Sequence, residues 1–316
     1  MKWNVLVNIR MARLALTLLA TLSITLLWAS PAKAGTTTIN TCGTTITKSG
    51  VYTLGTNLSC ASGVDGIDIT ASNVTLLLNS HTISGATSGN CNISNGIFVD
   101  GPSGVNVVGP GTISNFVIGF FVENSAGGSV SFTTVTAPLA GCPPAGTISH
   151  GFETRFSSNW TLLGNVVREA EQYSGGIDVF FDASQTPVGM DSHNNVIGNN
   201  VNDSITLLDN NKSNIIGNTA SNNYGGIFVL GGSNNNIAAN TTNNNVAACS
   251  GSVLVCSGDG IALTSDLNGV PTSGNNVDGN TSFGNSPYDM EDDSPDCGTD
   301  KWEGNHFKTA NVPCIH

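Results

Sequence analysis

The sequence predicts an all-β protein built as one solenoid, and three observations support this fold class. One short phrase recurs three times between residues 192 and 245 of the 316-residue chain. It reads NNVIGN at 194–199, SNIIGN at 213–218 and NNIAAN at 235–240. The phrases begin ~20 residues apart, which is a period typical of solenoid repeats. Short apolar segments lie between them, and no segment there has the apolar spacing of an amphipathic helix.

Each part of the repeat has a physical role. Alternating apolar residues form a strand that directs one side chain inward and the next outward. Asn and Gly tolerate the left-handed backbone conformation, so they turn the chain sharply between strands. Asn at the same place in successive coils is expected to stack into a hydrogen-bonded ladder. Because one coil cannot bury its own apolar face, the coils must stack to form a continuous core.

The pattern G-I-x-V followed by S/N-N-N-x-I-x-G/A-N resembles a known family of repeats. It is similar to the right-handed parallel β-helix repeats of the pectate-lyase-like superfamily, which includes NosD-type proteins. The resemblance implies a single right-handed parallel β-helix with capping ends. It does not decide function, because the superfamily includes both enzymes and non-catalytic proteins.

Residues 1–34 are predicted to be a secretory signal peptide, so we expect a secreted, periplasmic or cell-surface protein. The basic residues Lys2, Arg10 and Arg13 precede an apolar run over 14–29, and Ala-Lys-Ala at 32–34 is a small-x-small cleavage site. Translation from Met1 or from Met11 gives a signal of this kind. A retained membrane anchor is the alternative, for which the run is short. No later segment is a candidate for a membrane span.

Removal of the signal makes the chain strongly acidic. The whole chain has a formal charge of −12, and residues 35–316 retain six Lys and Arg against 22 Asp and Glu, a formal charge of −16. Such a surface repels nucleic acid and anionic lipid, so neither is expected as a partner. The oligomeric state is left open.

Eight cysteines, all after residue 34, indicate an oxidising compartment. Eight cysteines allow 105 pairings, so the sequence does not fix the connectivity. Local pairing is the simplest expectation, with Cys42–Cys60, Cys91–Cys142, Cys249–Cys256 and Cys297–Cys314. A metal site is the alternative, but there is no C-x-x-C motif or Cys/His cluster to support it.

The chain divides into three predicted parts after the signal: an N-terminal cap over 35–65, coils over 66–285 and a disulfide-linked, acidic C-terminal cap over 286–316. The coils are expected to begin at Gly66, Gly96, Gly119, Gly151, Gly176, Ser204, Gly226 and Gly260. Longer intervals predict loops at about 124–150, 183–192 and 243–259, and such insertions commonly flank a binding surface.

Aligning the coils on these positions gives two outward columns, at the second and fourth residue of each opening strand. The second-residue column reads Asp68, Phe98, Phe121, Glu153, Asp178, Thr206, Phe228 and Ala262. The fourth-residue column begins Thr70, Asp100, Glu123, Arg155, Phe180 and Leu208. One patch on the middle coils is therefore expected to combine Asp100, Glu123, Glu153, Arg155, Asp178 and Asp182 with the rings of Phe98, Phe121 and Phe180.

Carboxylates and aromatic rings along a groove suit a polysaccharide, which stacks on rings and is cleaved by paired acids. Glu153 and Asp178 would lie ~4.8 Å apart on adjacent coils, and Glu123 and Glu153 roughly 8 Å apart diagonally, within the range of an inverting pair. The alternative chemistry is β-elimination from a uronate, with carboxylates holding Ca²⁺ and a base removing the C5 proton. Either reaction, or epimerisation, assigns Glu123, Glu153 and Asp178 as acid, base or Ca²⁺ ligands.

The other patch residues are assigned by position. Arg155 is the one basic residue there and is predicted to act as base or carboxylate clamp, although its high pKa makes it a poor base. Phe98 and Phe121 are predicted sugar platforms, and Asp100, Phe180 and Asp182 are predicted to contact the substrate. The opposing interpretation is a non-catalytic scaffold or adhesion module, in which Glu123 and Arg155 form a cross-coil ion pair of small energetic worth.

Two further motifs give weaker resemblances. Asp191-Ser192-His193 resembles the Asp-x-His of alginate epimerases, but the accompanying Pro and Glu are absent. His150-Gly151 resembles part of the His-Gly element of polygalacturonases, whose Asn-Thr-Asp and Arg-x-Lys partners are missing. Neither motif is expected to carry the chemistry.

Overall fold

The computed structural model describes residues 35–86, 94–136, 149–168, 174–180, 192–246, 257–266 and 268–316. Residues 37–316 form one compact unit. The predicted signal peptide therefore lies outside the described residues, as do Asp182, Cys91, Cys142, Cys249 and Cys256. Within the described part of the chain, no helix is long and apolar enough to cross a membrane.

The described residues form 28 short strands and one 3-10 turn at Pro295–Cys297. In chain order the first strands are β1 (Thr37–Ile39), β2 (Thr44–Ile46), β3 (Gly50–Leu54), β4 (Leu58–Ser59), β5 (Ile67–Ile69), β6 (Val74–Leu77), β7 (Thr82–Ser84), β8 (Asn95–Asp100) and β9 (Val105–Ser114). The middle strands are β10 (Ile118–Glu123), β11 (Ala126–Thr136), β12 (Ser149–Arg155), β13 (Ser158–Leu163), β14 (Val166–Arg168), β15 (Ser174–Phe180), β16 (Asn195–Ile197), β17 (Asn200–Val201) and β18 (Ile205–Leu208). The last strands are β19 (Asn214–Ile216), β20 (Thr219–Ala220), β21 (Ile227–Leu230), β22 (Asn236–Ala238), β23 (Thr241–Asn243), β24 (Ile261–Thr264), β25 (Asn276–Asp278), β26 (Thr281–Phe283), β27 (Met290–Asp292) and β28 (Lys301–Glu303).

One strand from each coil joins a ten-stranded sheet, which we call the opening sheet. Its order is β2-β5-β8-β10-β12-β15-β18-β21-β24-β27, and its neighbours pair in parallel. The remaining strands form two runs of parallel strands. These runs are one 18-stranded sheet, because the long strands β9 and β11 pair with neighbours in both runs. Parallel strands joined through such crossovers wind with a right hand. The predicted all-β, right-handed parallel β-helix is confirmed.

The core is a stack of apolar side chains that repeat from coil to coil. One column of the opening sheet reads Ile67, Ile97, Phe120, Phe152, Ile177, Ile205, Ile227, Ile261 and Met290, all fully buried. Each follows directly on a predicted coil start, except that Met290 follows Asp289. Glycine at the coil starts permits close packing: a Cβ on Gly119 would lie 2.7 Å from the carbonyl oxygen of Gly151.

Buried asparagines form the predicted ladder at a turn of successive coils. The longest run is Asn165, Asn199, Asn218, Asn240 and Asn280, with Asn305 at its end. The Nδ2 of each donates to the Oδ1 of the next at 2.9–3.1 Å. The same oxygen also accepts the preceding asparagine's backbone N–H, so each carboxamide satisfies buried groups of two coils.

The two ends of the solenoid are held by disulfides. The predicted Cys42–Cys60 and Cys297–Cys314 bonds are both present. The two sheets reach into the segments assigned to the caps, since β2 pairs with β5 at one end and β27 pairs with β24 at the other. Strands therefore continue to Glu303, beyond the point where the sequence repeat is visible.

Candidate functional site

The register of the opening sheet aligns the two predicted columns. Phe98, Phe121, Glu153 and Asp178 occupy equivalent positions on β8, β10, β12 and β15. Asp100, Glu123, Arg155 and Phe180 form the second column, two residues further along the same strands. The predicted residues are thus neighbours, apart from Asp182, whose position is not described. The patch has an open part and a buried part.

The open part combines two carboxylates with an aromatic stack. Asp100 is exposed, and Glu123, Phe98 and Phe121 are half-buried. The rings of Phe98 and Phe121 stack with centroids 5.2 Å apart and planes 12° apart. The Arg155 guanidinium carbon lies 5.4 Å from the Phe121 centroid. Phe121 therefore has partners from the coils on both sides, which leaves its ring edge rather than its whole face for a ligand.

The buried part is a chain of alternating acid and base. His150 Nδ1 and Asp178 Oδ2 are hydrogen-bonded, and His150 Nε2 lies 3.7 Å from Glu153 Oε2. Arg155 Nε donates to Glu153 Oε1. Glu153 and Asp178 point away from the core but are 0% and 3% exposed, while the Arg155 side chain is 45% exposed. We call these four residues the charge relay.

Two members of the charge relay have shifted pKa values. Burial raises the pKa of Glu153, and the charges of His150 and Arg155 only partly oppose this. Burial lowers the pKa of His150, but the charge and hydrogen bond of Asp178, with help from Glu153, outweigh that and raise it overall. Both shifts favour the protonated forms of these groups.

Glu123 and Arg155 do not form the cross-coil ion pair expected for a non-catalytic scaffold or adhesion module. They are paired in the ladder, but among the described residues the acidic partner of Arg155 is Glu153, two positions earlier on the same strand. Glu123 thus keeps its carboxylate available at the surface. Phe180 is half-buried, and its ring meets the His150 ring edge-on with centroids 6.2 Å apart.

His150 is the site residue that the sequence columns did not include. It stands one residue ahead of the coil start Gly151, so counting outward positions from the glycine passes over it. Its partner Asp178 lies 28 residues later, on the next coil. A histidine directly before a coil glycine, with a glutamate in the column beside it, is the signal that would have indicated it.

Two of the three carboxylates proposed for Ca²⁺ already have partners within the protein. Asp178 Oδ2 is bonded to His150 and Glu153 Oε1 to Arg155, so two of the three predicted ligands are engaged with cations. Across the described ranges, no three acidic, His or Cys side chains converge as a metal-binding group. Ca²⁺ stays a prediction, and we derive no chemical step through it.

The acidic run near the C-terminus is largely structural. Asp289 accepts backbone N–H groups of Asn285, Lys308 and Thr309 through its two carboxylate oxygens. Asp292 accepts the Trp302 indole N–H at 2.9 Å. These contacts tie the last strands to the terminal segment.

A second group of acids lies beside that segment. Burial, followed by a hydrogen bond and charge repulsion from Asp259, raises the pKa of Glu291 to about 8. Asp259 is fully buried and accepts the backbone N–H of Tyr288 at 2.7 Å. Glu291 therefore keeps its proton near neutral pH rather than presenting a free carboxylate.

Comparison with solved structures returns proteins of low sequence identity to this chain. The Dettilon tailspike protein aligns over 89% of this chain and 59% of its own, with 17% identity and a TM-score of 0.47. The periplasmic alginate epimerase AlgG aligns over 82% and 68%, with 14% identity and a TM-score of 0.42. The A-module of the Azotobacter vinelandii mannuronan C-5 epimerase AlgE6 aligns over 83% and 76%, with 12% identity and a TM-score of 0.36. No protein-family model and no curated protein sequence matches the chain.

Proposed function

We propose that this protein is exported and binds an extracellular polysaccharide along the outer face of the opening sheet. The observation that carries the proposal is the position of Arg155. Its Nε is held by Glu153, and its guanidinium reaches solvent beside the Phe98–Phe121 stack. A fixed, half-exposed guanidinium offers N–H groups to ligand hydroxyls or carboxylates at little entropic cost.

The neighbouring groups extend this site along the solenoid axis. Asp100, Glu123 and Arg155 follow one another on adjacent coils, ~4.8 Å apart. A row of acceptors and donors beside ring edges suits a linear chain of hydroxyl groups better than a compact ligand. Two disulfides support the exported location, because such bonds persist in oxidising compartments.

Acid–base chemistry on the bound glycan is the catalytic form of the proposal. Burial raises the pKa of Glu153, which suits this carboxyl to donate a proton, while Glu123 stands diagonally from it with a surface carboxylate. Cleavage or epimerisation would use Glu153 as the acid and Glu123 as the base. Arg155 would hold the substrate rather than abstract a proton.

A non-catalytic scaffold or adhesion module is the second candidate, and one observation favours it. Glu153 is fully buried and Asp178 nearly so, and a general acid has to reach its substrate. In that case the charge relay positions Arg155 for binding alone. Both candidates share the same binding face and differ in turnover.

The test uses the purified chain from residue 35 with pectin, alginate, hyaluronan and neutral glycans. Binding is measured beside the formation of unsaturated uronate and new reducing ends, with Ca²⁺ and with chelator. We expect Arg155→Ala to weaken binding at least tenfold, the effect of losing one good charged hydrogen bond. Lys301→Ala, which removes an exposed cation on β28 of the other sheet, is the matched control and should bind like wild type.

The products decide between the candidates. Unsaturated uronate indicates a lyase, and reducing ends alone indicate a hydrolase. A changed ratio of C5 epimers in the recovered glycan, read by NMR without either product, indicates an epimerase. Binding with none of these changes indicates the scaffold. Failure of every glycan to bind would refute the proposal.

A further inference from the structure

We infer that His150 is a positioning residue, which fixes the Glu153 carboxylate for Arg155, and that Gly175 provides the space this requires. This inference rests on the proposed function, because Arg155 is the residue that would contact the glycan. The contacts among the four residues of the charge relay do not depend on a ligand.

The charge relay has a direction, from buried to exposed. Asp178, His150 and Glu153 are each at least nine-tenths buried, and Arg155 alone reaches solvent. Their charges alternate when all four are ionised, so each group stabilises the next. The relay also joins two coils, because Asp178 lies on β15 and the other three residues lie on β12.

Gly175 leaves room for the bond between these coils. It pairs with His150 in the ladder between β12 and β15. A Cβ built on Gly175 would overlap Asp178 Oδ2 and would lie 2.6 Å from His150 Nδ1. Gly175 is not among the glycines with positive φ, so the backbone conformation does not require it. The need for glycine here comes from the hydrogen-bonded pair itself.

Glu153 shows why the imidazole matters. Its Oε2 is buried and has no hydrogen-bond partner, and the nearest cationic nitrogen beyond Arg155 is His150 Nε2 at 3.7 Å. A carboxylate in such a place would take up a proton unless positive charge lies beside it. The groups that face His150 are Asp178, Glu153, Arg155 and the ring of Phe180. Protonated His150 therefore helps keep Glu153 ionised, and an ionised Glu153 holds Arg155 by a charge-assisted hydrogen bond.

The consequence is a defined pH dependence of ligand binding. As pH falls through the raised pKa of Glu153, the carboxyl gains a proton and its bond to Arg155 weakens. The charge of His150 lowers that pKa. Replacing His150 with a neutral residue must therefore move the loss of binding to higher pH.

The experiment measures glycan affinity across the acid and neutral range for wild type, His150→Gln and Gly175→Ala. Both variants should shift the acid limb to higher pH and weaken binding at neutral pH, roughly tenfold for one weakened charged bond. Glu153→Gln removes the titrating group, so its affinity should be low and free of that limb. His81→Gln is the matched control, because His81 contacts Asn57 at 3.3 Å, away from the relay.

An equal loss of affinity at every pH, with the acid limb unmoved, would show that His150 acts only in folding and would overturn the inference. If wild type binds no glycan, the proposed function fails but the inference is still tested by NMR. The Arg155 Nε–H resonance should then shift in His150→Gln and in Gly175→Ala, and His150 should titrate at lower pH in Asp178→Asn. Unchanged resonances and an unchanged titration would refute it.

Discussion

Burial of a carboxylate on the outer side of a strand needs compensation from its immediate neighbours. An isolated ion in the position of Glu153 would cost several kcal/mol, so the charges of Arg155 and His150 on either side are structural requirements as well as functional ones. The next residue on the strand has no such compensation. The hydroxyl of Thr154 is buried and unpartnered in the core, between Val122 and Val179 of the adjacent coils.

Thr154→Val should therefore stabilise the protein. The substitution replaces the unpartnered hydroxyl with a methyl group of similar size, in a column that already contains valine on both sides. We expect the free energy of unfolding in urea to rise by about 1 kcal/mol.

Thr242→Val is the control for that change. Thr242 is equally buried, but its Oγ1 donates to Ser282 Oγ at 2.9 Å. This variant should lose about 1 kcal/mol. A loss of stability in both variants would mean that the Thr154 hydroxyl is bonded after all, for example to a buried water.

Strand alternation was enough to place the side chains of Glu123, Glu153, Arg155 and Asp178 on one face. It could not show that Glu153 and Asp178 are buried there, because alternation gives the direction of a side chain and not what lies over it. It also could not pair His150 with Asp178, since that contact joins two coils at a position outside the repeat.

At the scale of elements, the asparagine ladders join the turns of successive coils by hydrogen bonds, as backbone hydrogen bonds join the strands. Three of them run through the C-terminal half, and each finishes on an acceptor in the terminal segment: Asp300 for Asn275, Asn305 for Asn280 and Asp289 for Asn285. The final acceptors have no further coil to bond. A carboxylate at two of these ends supplies acceptors without adding a donor that would be left unsatisfied.

A rung of the buried ladder should matter more than an asparagine on the outer face of the same coil. The Asn218 carboxamide makes four hydrogen bonds, two accepted from Asn199 and two donated to Val196 O and Asn240 Oδ1. Asn218→Ala should lower the free energy of unfolding by about 3 kcal/mol, because it leaves buried donors unpaired.

Asn214→Ala is the matched change four residues earlier. Asn214 is half-buried and donates to Asn195 Oδ1 at 2.8 Å on the outer face. Its loss should cost less than about 1 kcal/mol, since water can replace the bond. Equal urea midpoints for the two variants would contradict the assignment of the ladder as the stronger element.

The strands β27 and β28 lie beyond the part of the chain in which the sequence repeat predicts strands. Met290 and Trp302 take core positions that Ile261 and Val277 hold one coil earlier, and Asp289 replaces the coil glycine. The sequence repeat is therefore no longer recognisable here, although the pairing of strands continues. The earlier coils kept a glycine or serine directly before the apolar core residue, which is why their register could be predicted residue by residue.

For the whole molecule, the period of the repeat was sufficient to predict the fold, because stacked coils leave few other ways to bury the apolar columns. The fold does not identify the ligand, because one fold can carry many functions. Net charge is the whole-molecule property that bears on it. Residues 35–316 carry a formal charge of −16, which repels polyanions, whereas the role proposed for Arg155 is to attract one carboxylate locally.

These two effects predict a preference among glycans that share a backbone. At low ionic strength, highly methyl-esterified pectin should bind about tenfold more tightly than the same pectin after removal of its esters, since long-range repulsion acts on every free uronate. The difference should shrink as salt is added, because the Debye length falls to ~8 Å at physiological ionic strength. Chitin oligomers with and without N-acetyl groups give a comparison of opposite charge, because removing these groups leaves amines. The oligomers with free amines should bind more tightly at low salt. Tighter binding of the de-esterified pectin at low salt would show that recognition of a carboxylate at Arg155 outweighs the field of the whole protein.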